Sequence, residues 1–184
     1  MIPHASEHPF GQALALRDFF SAKGLSELTA AVQALLGTHS LTNDELKAVE
    51  YEFNRLFVGP DAVPAPPFAS VYLEEEPQLM GRSTLEVREL LCGLGLAVPE
   101  GGEPDDFLPY ELEAWIQLCM LEEQVSSEQD LKTILDARRW LVLEHMACWL
   151  PAFIVRAVDS SDSPVISTIV KLLENWLHAA KENV

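Results

Sequence analysis

The segment YEFNRLFVGPDAVPAPPFASVY, Tyr51–Tyr72, decides how the rest of the chain is read. It opens at helical spacing and closes as a proline-rich loop tipped with aromatic rings. Just upstream, Thr42-Asn-Asp-Glu45 is a capping box, and Leu46, Val49, Phe53 and Leu56 follow on one helical face. Gly59-Pro60 stops that helix. Glu52 and Arg55 are spaced to pair with each other. Pro64, Pro66 and Pro67 restrict the backbone, which lowers the entropy such a loop loses on binding. Phe68 and Tyr72 present aromatic surface, and at least one of them is expected in the core. Val58–Arg82 is the only long non-helical run. Loops of that length are functional or disordered more often than not, and its prolines and rings mark this one as ordered.

Outward from this segment, helical signals dominate. Phe10–Phe20 and Leu25–Leu36 are short apolar-periodic segments, split at Lys23-Gly24, and Gly37 ends the second. Ser83-Thr-Leu-Glu86 reads as a second capping box, opening a helix that closes around Gly93–Gly95. Its Leu90, Leu91 and Leu94, with Leu96, could line an apolar groove or simply face the core. Pro99–Pro104, PEGGEP, is a hinge with two glycines between two prolines. A helix with Leu108, Leu112, Trp115 and Cys119 on one face follows. A long helix then runs from Glu128 to about Ile154, kinked in its last turn by Pro151. Ser163-Pro164 opens a final helix to about Lys181. No alternating strand pattern and no internal repeat occurs. The sequence predicts an all-α fold, one helical domain over residues 1–184 with a hinge at 99–104.

The 184 residues are 48% hydrophobic, enough for a sizeable core. Twelve Lys+Arg against 29 Asp+Glu give a net charge of −17. That balance argues against nucleic acid and anionic membrane surfaces and favours cationic partners. From Glu89 to Asp130 stand eleven acidic residues and no Lys or Arg. Such a run is ordinarily a solvated face; beside a glycine hinge and aromatic rings it could also be a socket for a cationic peptide. Cys92, Cys119 and Cys148 lie far apart in apolar runs without a CxxC, which predicts reduced, buried thiols of a cytosolic protein. The first residues lack the basic and apolar regions of a signal peptide. No window approaches the ~18 uncharged apolar residues of a membrane span. A soluble, cytoplasmic protein without stable membrane insertion is expected.

Enzyme signatures are absent: no Glu-x-x-His pair, HExxH, Walker-type GKS/GKT or GxGxxG. His4 and His8 could share a helical face, but at a chain terminus they do not make a metal site. Glu103, Asp105 and Asp106 form a carboxylate cluster. It could supply acid/base groups or bind Mg²⁺, or it could cap the helix that follows. No catalytic residue, cofactor or metal is assigned.

Three pieces carry a family resemblance: YEFNRLFVGP…PAPPFASVY, then EPDDFLPYELEAW at Glu103–Trp115, then His145-Met-Ala-Cys-Trp149-Leu-Pro151-Ala-Phe153. Together, and in this order, they resemble the TorD/DmsD family of redox-enzyme maturation chaperones over essentially the whole chain. The resemblance implies an all-α cytoplasmic chaperone that is not an enzyme. It would bind the twin-arginine signal peptide, and often the body, of the apo-form of a molybdopterin oxidoreductase similar to DMSO or TMAO reductases. It would hold that client until cofactor insertion, before export. Carried over by motif, the peptide-binding residues are Tyr51, Asn54, Arg55, Phe57, Pro67, Ser70 and Tyr72 from the first piece, with Phe68 beside them. Glu103, Pro104, Asp105 and Asp106 come from the second. Acids near Glu103, Asp105 and Asp106 would hold the arginine pair, and an apolar groove rimmed by Phe68 and Tyr72 would take the hydrophobic stretch. Any of Asn54, Arg55, Asp105 and Asp106 could instead be structural. Phe107 stands where the family commonly has His, which puts the guanine-nucleotide binding of some members in doubt here. Tyr72 stands where several relatives have Trp. Some relatives form domain-swapped homodimers through the hinge. The alternatives are a same-fold chaperone for a nitrate reductase or formate dehydrogenase subunit, and a nucleotide-binding enzyme using the acidic loop.

Overall fold

A computed structural model describes residues 9–37, 41–60, 62–74, 80–98 and 100–184. His4, His8 and Pro99 lie outside these. Among the described residues all regular secondary structure is helical. Helices α1 (Pro9–Phe20) and α2 (Leu25–Leu36) follow the apolar spacing, and Gly37, at φ 73°, ends α2 in a conformation that favours glycine. Helix α3 (Asn43–Phe53) opens on the predicted capping box: Thr42 Oγ1 accepts from the Glu45 N–H, and the Glu45 carboxylate accepts from the Thr42 N–H at 2.7 Å. It then widens into a π-helical turn, Asn54–Val58, before Gly59.

A four-residue helix, α4 (Ser70–Leu73), sits inside the stretch predicted as loop, and α5 (Arg82–Gly93) follows. Ser83 does not cap α5. Its N–H and hydroxyl both donate to Glu74 Oε1 at 3.0 Å, so the capping carboxylate arrives from the loop before the helix. Glu86 pairs with Arg82 instead. Gly81 lets Glu74 pass: a Cβ there would stand 2.3 Å from the carboxylate.

Helices α6 (Leu108–Gln124), α7 (Glu128–Arg139), α8 (Ala147–Ser160) and α9 (Pro164–Glu182) complete the chain. Ser163 caps α9, accepting from the Ile166 N–H, with Pro164 at the first position. The predicted kink at Pro151 is not where the helix departs from α geometry. Helix α8 continues past it to Ser160, and a π-helical turn, Trp140–Met146, joins α7 to α8. A proline ring needs the carbonyl four residues back moved aside, and a wide turn just upstream is where the ladder already shifts register.

The core is one cluster drawn from α1 to α9, with Trp149, Trp176, Phe19 and Phe153 its largest fully buried side chains. Phe19, Phe20, Phe53, Phe57 and Phe153 pack largely edge to face, with centroids 5.0–6.0 Å apart. The segment 128–160 holds an 18-residue window of mean hydropathy 1.5, long and apolar enough by composition to cross a membrane, where the sequence predicted none. Half of that window is buried, with Leu141, Val142, Met146, Trp149 and Phe153 in the core.

The cysteines also differ from expectation. All three are free, but Cys92 and Cys148 are exposed and Cys119 is half-buried. Val87 and Leu91 take the core-facing positions of α5, and Trp149, Leu150 and Phe153 those of α8, which turns Cys92 and Cys148 outward. Burial pushes the Cys119 thiol up in pKa. In the native protein a thiol reagent should therefore modify Cys92 and Cys148 within the mixing phase and Cys119 at least about tenfold more slowly. Mass spectrometry of timed samples would read this.

Candidate functional site

The two unusual loops are zipped together. Phe68 and Phe107 form an isolated antiparallel bridge. The Ala69 N–H donates to the Asp106 carbonyl at 3.1 Å, and the Leu108 N–H to the Pro67 carbonyl at 3.0 Å. Pro67 lacks an N–H but still accepts, so the proline costs this bridge nothing. The two rings stack at 5.1 Å. Phe107 is thus a packing partner for Phe68.

Asp106 fastens the zip from beneath and is 0% exposed. One carboxylate oxygen accepts from the Ser70 N–H at 2.6 Å, the other from the Thr84 hydroxyl at 2.8 Å. Asp106 therefore caps α4, in the other loop, and not α6, whose N-cap residue Phe107 makes no side-chain cap. Asp105 is also buried, and its Oδ2 accepts from Arg88 Nε and Nη2 at 3.0 and 2.7 Å. Other acids of the cation-free run find partners from outside it in the same way: Glu113 meets Arg17 at 2.5 Å, and Glu122 meets Arg138. The expected surface socket of Glu103, Asp105 and Asp106 is not assembled as such, because burial and internal donors claim both aspartates. Of the three, only Glu103 is exposed.

The late motif is internal as well. Glu111 is 0% exposed; its Oε1 lies 2.7 Å from His145 Nε2, and its Oε2 accepts from Trp149 Nε1–H at 3.1 Å. Burial pushes the Glu111 carboxyl up in pKa, against the pull of His145. Burial alone would lower the His145 imidazole, but the charge and hydrogen bond of Glu111 outweigh it, and the pKa is raised. Trp149 in turn stacks on Tyr72 at 5.7 Å. Tyr72 is half-buried, with Arg156 over its ring, and burial pushes its phenol up to about 12.

Three cavities surround the zipped loops. One of ≈ 340 Å³ lies among Phe20, Phe57, Val58, Val63, Pro66, Pro67, Phe68, Val71 and Phe107, with Glu103 on its edge. A second of ≈ 470 Å³ lies beyond Glu103, among Met80, Arg88, Cys92, Leu96, Val98, Pro104 and Asp105. A third of ≈ 420 Å³ is lined by Tyr51, Asn54, Arg55, Gly59, Pro60, Ala62 and Pro64. Residues of the proline loop alternate between the first and third, so these lie on its two faces.

The predicted site residues accordingly separate. Phe57, Pro67, Phe68 and Glu103 share the first cavity. Pro104 and Asp105 join Glu103 at the second. Tyr51, Asn54 and Arg55 line the third. Ser70, Tyr72 and Asp106 lie behind the loops. Phe68 is buried, as at least one of the two aromatics was expected to be. Arg55 pairs with Glu52 at 2.7 Å as its spacing predicts, and also donates to the Ser160 carbonyl at 2.5 Å, bracing α3 against the end of α8. Of the leucine stripe, Leu91 is core and Leu96 lines the second of these cavities. Sequence inspection missed Phe20, Val63 and Val71 as cavity walls; Phe20 comes from α1, and nothing in the local pattern points it there.

An all-helical bundle whose proline loop is zipped to an acidic loop is a fold with known relatives. The family model described as nitrate reductase delta subunit matches residues 13–155. The Tat proofreading chaperone DmsD of Salmonella typhimurium is 36% identical over 166 residues, 89% of this chain and 74% of that protein. The chaperone protein TorD of Vibrio cholerae serotype O1 is 30% identical over 122 residues. That match takes in 66% of this chain and 55% of that protein, so the chain spans little more than half the length of this relative. A crystal structure described as a redox enzyme maturation protein from Archaeoglobus fulgidus superposes with a TM-score of 0.53 at 22% identity, covering 97% of this chain and 96% of that one. The chain belongs to the nitrate reductase delta subunit family, together with the TorD and DmsD chaperones.

Proposed function

We propose that this chain is a cytoplasmic chaperone for redox-enzyme maturation that binds the twin-arginine signal peptide of an apo-molybdopterin oxidoreductase before export. The role is binding and not catalysis. The observation that carries the proposal is the position of Glu103: an exposed carboxylate on the common edge of two largely apolar cavities. An arginine side chain would meet Glu103 through charge-assisted hydrogen bonds. The apolar stretch of the signal would lie against Phe57, Phe68 and Phe107. Asp105 and Asp106 would act by positioning the loops. Tyr51, Asn54 and Arg55 would contact only peptide that continues around the proline loop. The names of the DmsD and TorD relatives support the client class.

A fluorescent twin-arginine signal peptide from a molybdoenzyme, titrated beside a Lys-Lys variant, tests this. Glu103→Gln should weaken binding about tenfold, the scale of one hydrogen bond to a charged group. Val58→Asp, on the exposed wall of the first cavity, should weaken it comparably. Unchanged affinity in both variants would overturn this site, and failure of several client signals to bind would overturn the signal-peptide role. The family description favours a nitrate reductase subunit as the alternative client, and co-purification separates the two. Exchange of segments between two copies through the hinge at 99–104 is part of the proposal; sedimentation over a range of concentrations tests it.

A further inference from the structure

A fourth groove lies in the crease between one face of α3 and the start of α9. At ≈ 650 Å³ it is larger than each of the three cavities around the loops; it shares no residue with the two cavities that meet at Glu103, and shares Tyr51 with the third. Leu41, Val49 and Val165 give it an apolar floor and walls. Its charged lining residues are Glu45, Glu52 and Asp162; no Lys, Arg or His stands among the described residues that line it. Glu52 is neutralised by Arg55, and Glu45 is engaged by Thr42. The Asp162 carboxylate has no hydrogen-bond or salt-bridge partner among the described residues, but it feels the charge of Arg55, and its N–H donates to Glu52 at 2.7 Å.

We propose that this crease is a second docking site, independent of the signal-peptide cavity, and that its occupant is a helix of a partner protein with an apolar face flanked by Lys or Arg. A crease between two packed helices accepts a third helix by ridge-into-groove packing. The apolar walls take the apolar face. The exposed carboxylates of Asp162 and Glu45 favour cations beside it and repel an anionic helix. The net charge of −17 disfavours a second copy of this chain as the occupant.

The probe is an amphipathic Leu/Ala/Lys peptide of about 18 residues, ~five helical turns, with a counterpart carrying Glu for Lys. The lysine peptide should bind saturably, more weakly as salt rises, and unopposed by excess twin-arginine signal peptide. Ala48→Arg and Val165→Arg, which fill and recharge the crease, should each cut affinity at least about tenfold. Val155→Arg, on an exposed apolar position outside the crease, should leave it unchanged. Equal loss in all three variants would mean diffuse adsorption to an acidic surface and would overturn the proposal. Competition by the signal peptide would overturn the independence of the site. Equal binding of the glutamate peptide would overturn the assigned charge.

Discussion

Asp106→Ala should lower folding stability by about 3 kcal/mol, seen as a lower urea midpoint at unchanged slope. The carboxylate is wholly buried and holds two donors from two different elements, the Ser70 N–H and the Thr84 hydroxyl. Alanine leaves both without an acceptor in a site closed to bulk water. The Ser70 amide should also exchange with solvent faster than in wild type, since it opens α4 and donates to the Asp106 carboxylate. Asp106→Asn keeps one acceptor but brings an amide N–H₂ toward a donor, and should fall between the two. A surface ligand for arginine would behave differently: alanine would leave the midpoint in place and change only peptide affinity.

Glu111→Leu should cost about 3–5 kcal/mol, because it leaves His145 and the Trp149 N–H buried without their partner. Glu111→Gln, which can still bond both neighbours, should cost less. The same pair makes stability depend on pH. The folded pKa of His145 is raised above its ordinary value near 6.5, with Glu111 the main favourable cause and Asp106 and Glu86 adding to it. Its contribution is therefore fully present below about pH 6.5 and lost as pH rises through the folded value. The raised Glu111 carboxyl has the same sign, since the native state holds its proton more tightly than the unfolded chain. Urea midpoints should decline as pH rises above about 6.5, and His145→Gln should flatten that decline. On the acid side, the lowered pKa values of Glu45, Glu52 and Glu74 mean stability lost as pH falls through the carboxylate range.

The features legible in the sequence were those set by chemistry within one turn of chain. The Thr42 capping box, the Ser163-Pro164 start and the Gly37 stop are local hydrogen-bonding and φ requirements, and the structure has all three. Ser83 misled because a capping-box pattern cannot report that Glu74 already occupies its donors. The acidic run misled for a related reason. Its lack of Lys and Arg is a fact about neighbours in sequence, and Arg17, Arg88 and Arg138 reach it only once the helices pack. Glu111 and His145 lie 34 positions apart on separate elements, and no spacing rule joins them. Phe68 and the aspartates stand out in the sequence, but their pairing across the two loops is tertiary information.

The bridge between Phe68 and Phe107 closes the intervening chain into a loop pinned at its base, with α5 inside it packed on the core. The entropy of closing such a loop grows only with the logarithm of its length, so doubling it costs about 0.6 kcal/mol. Insertions or deletions in the non-helical chain of this loop, away from Ser70, Glu74, Asp105, Asp106 and the whole of α5, are therefore thermodynamically cheap, whereas a change at the base or in α5, with Val87 and Leu91 in the core, is not. The fold can vary the length and content of what it displays there while the helices beneath keep one architecture.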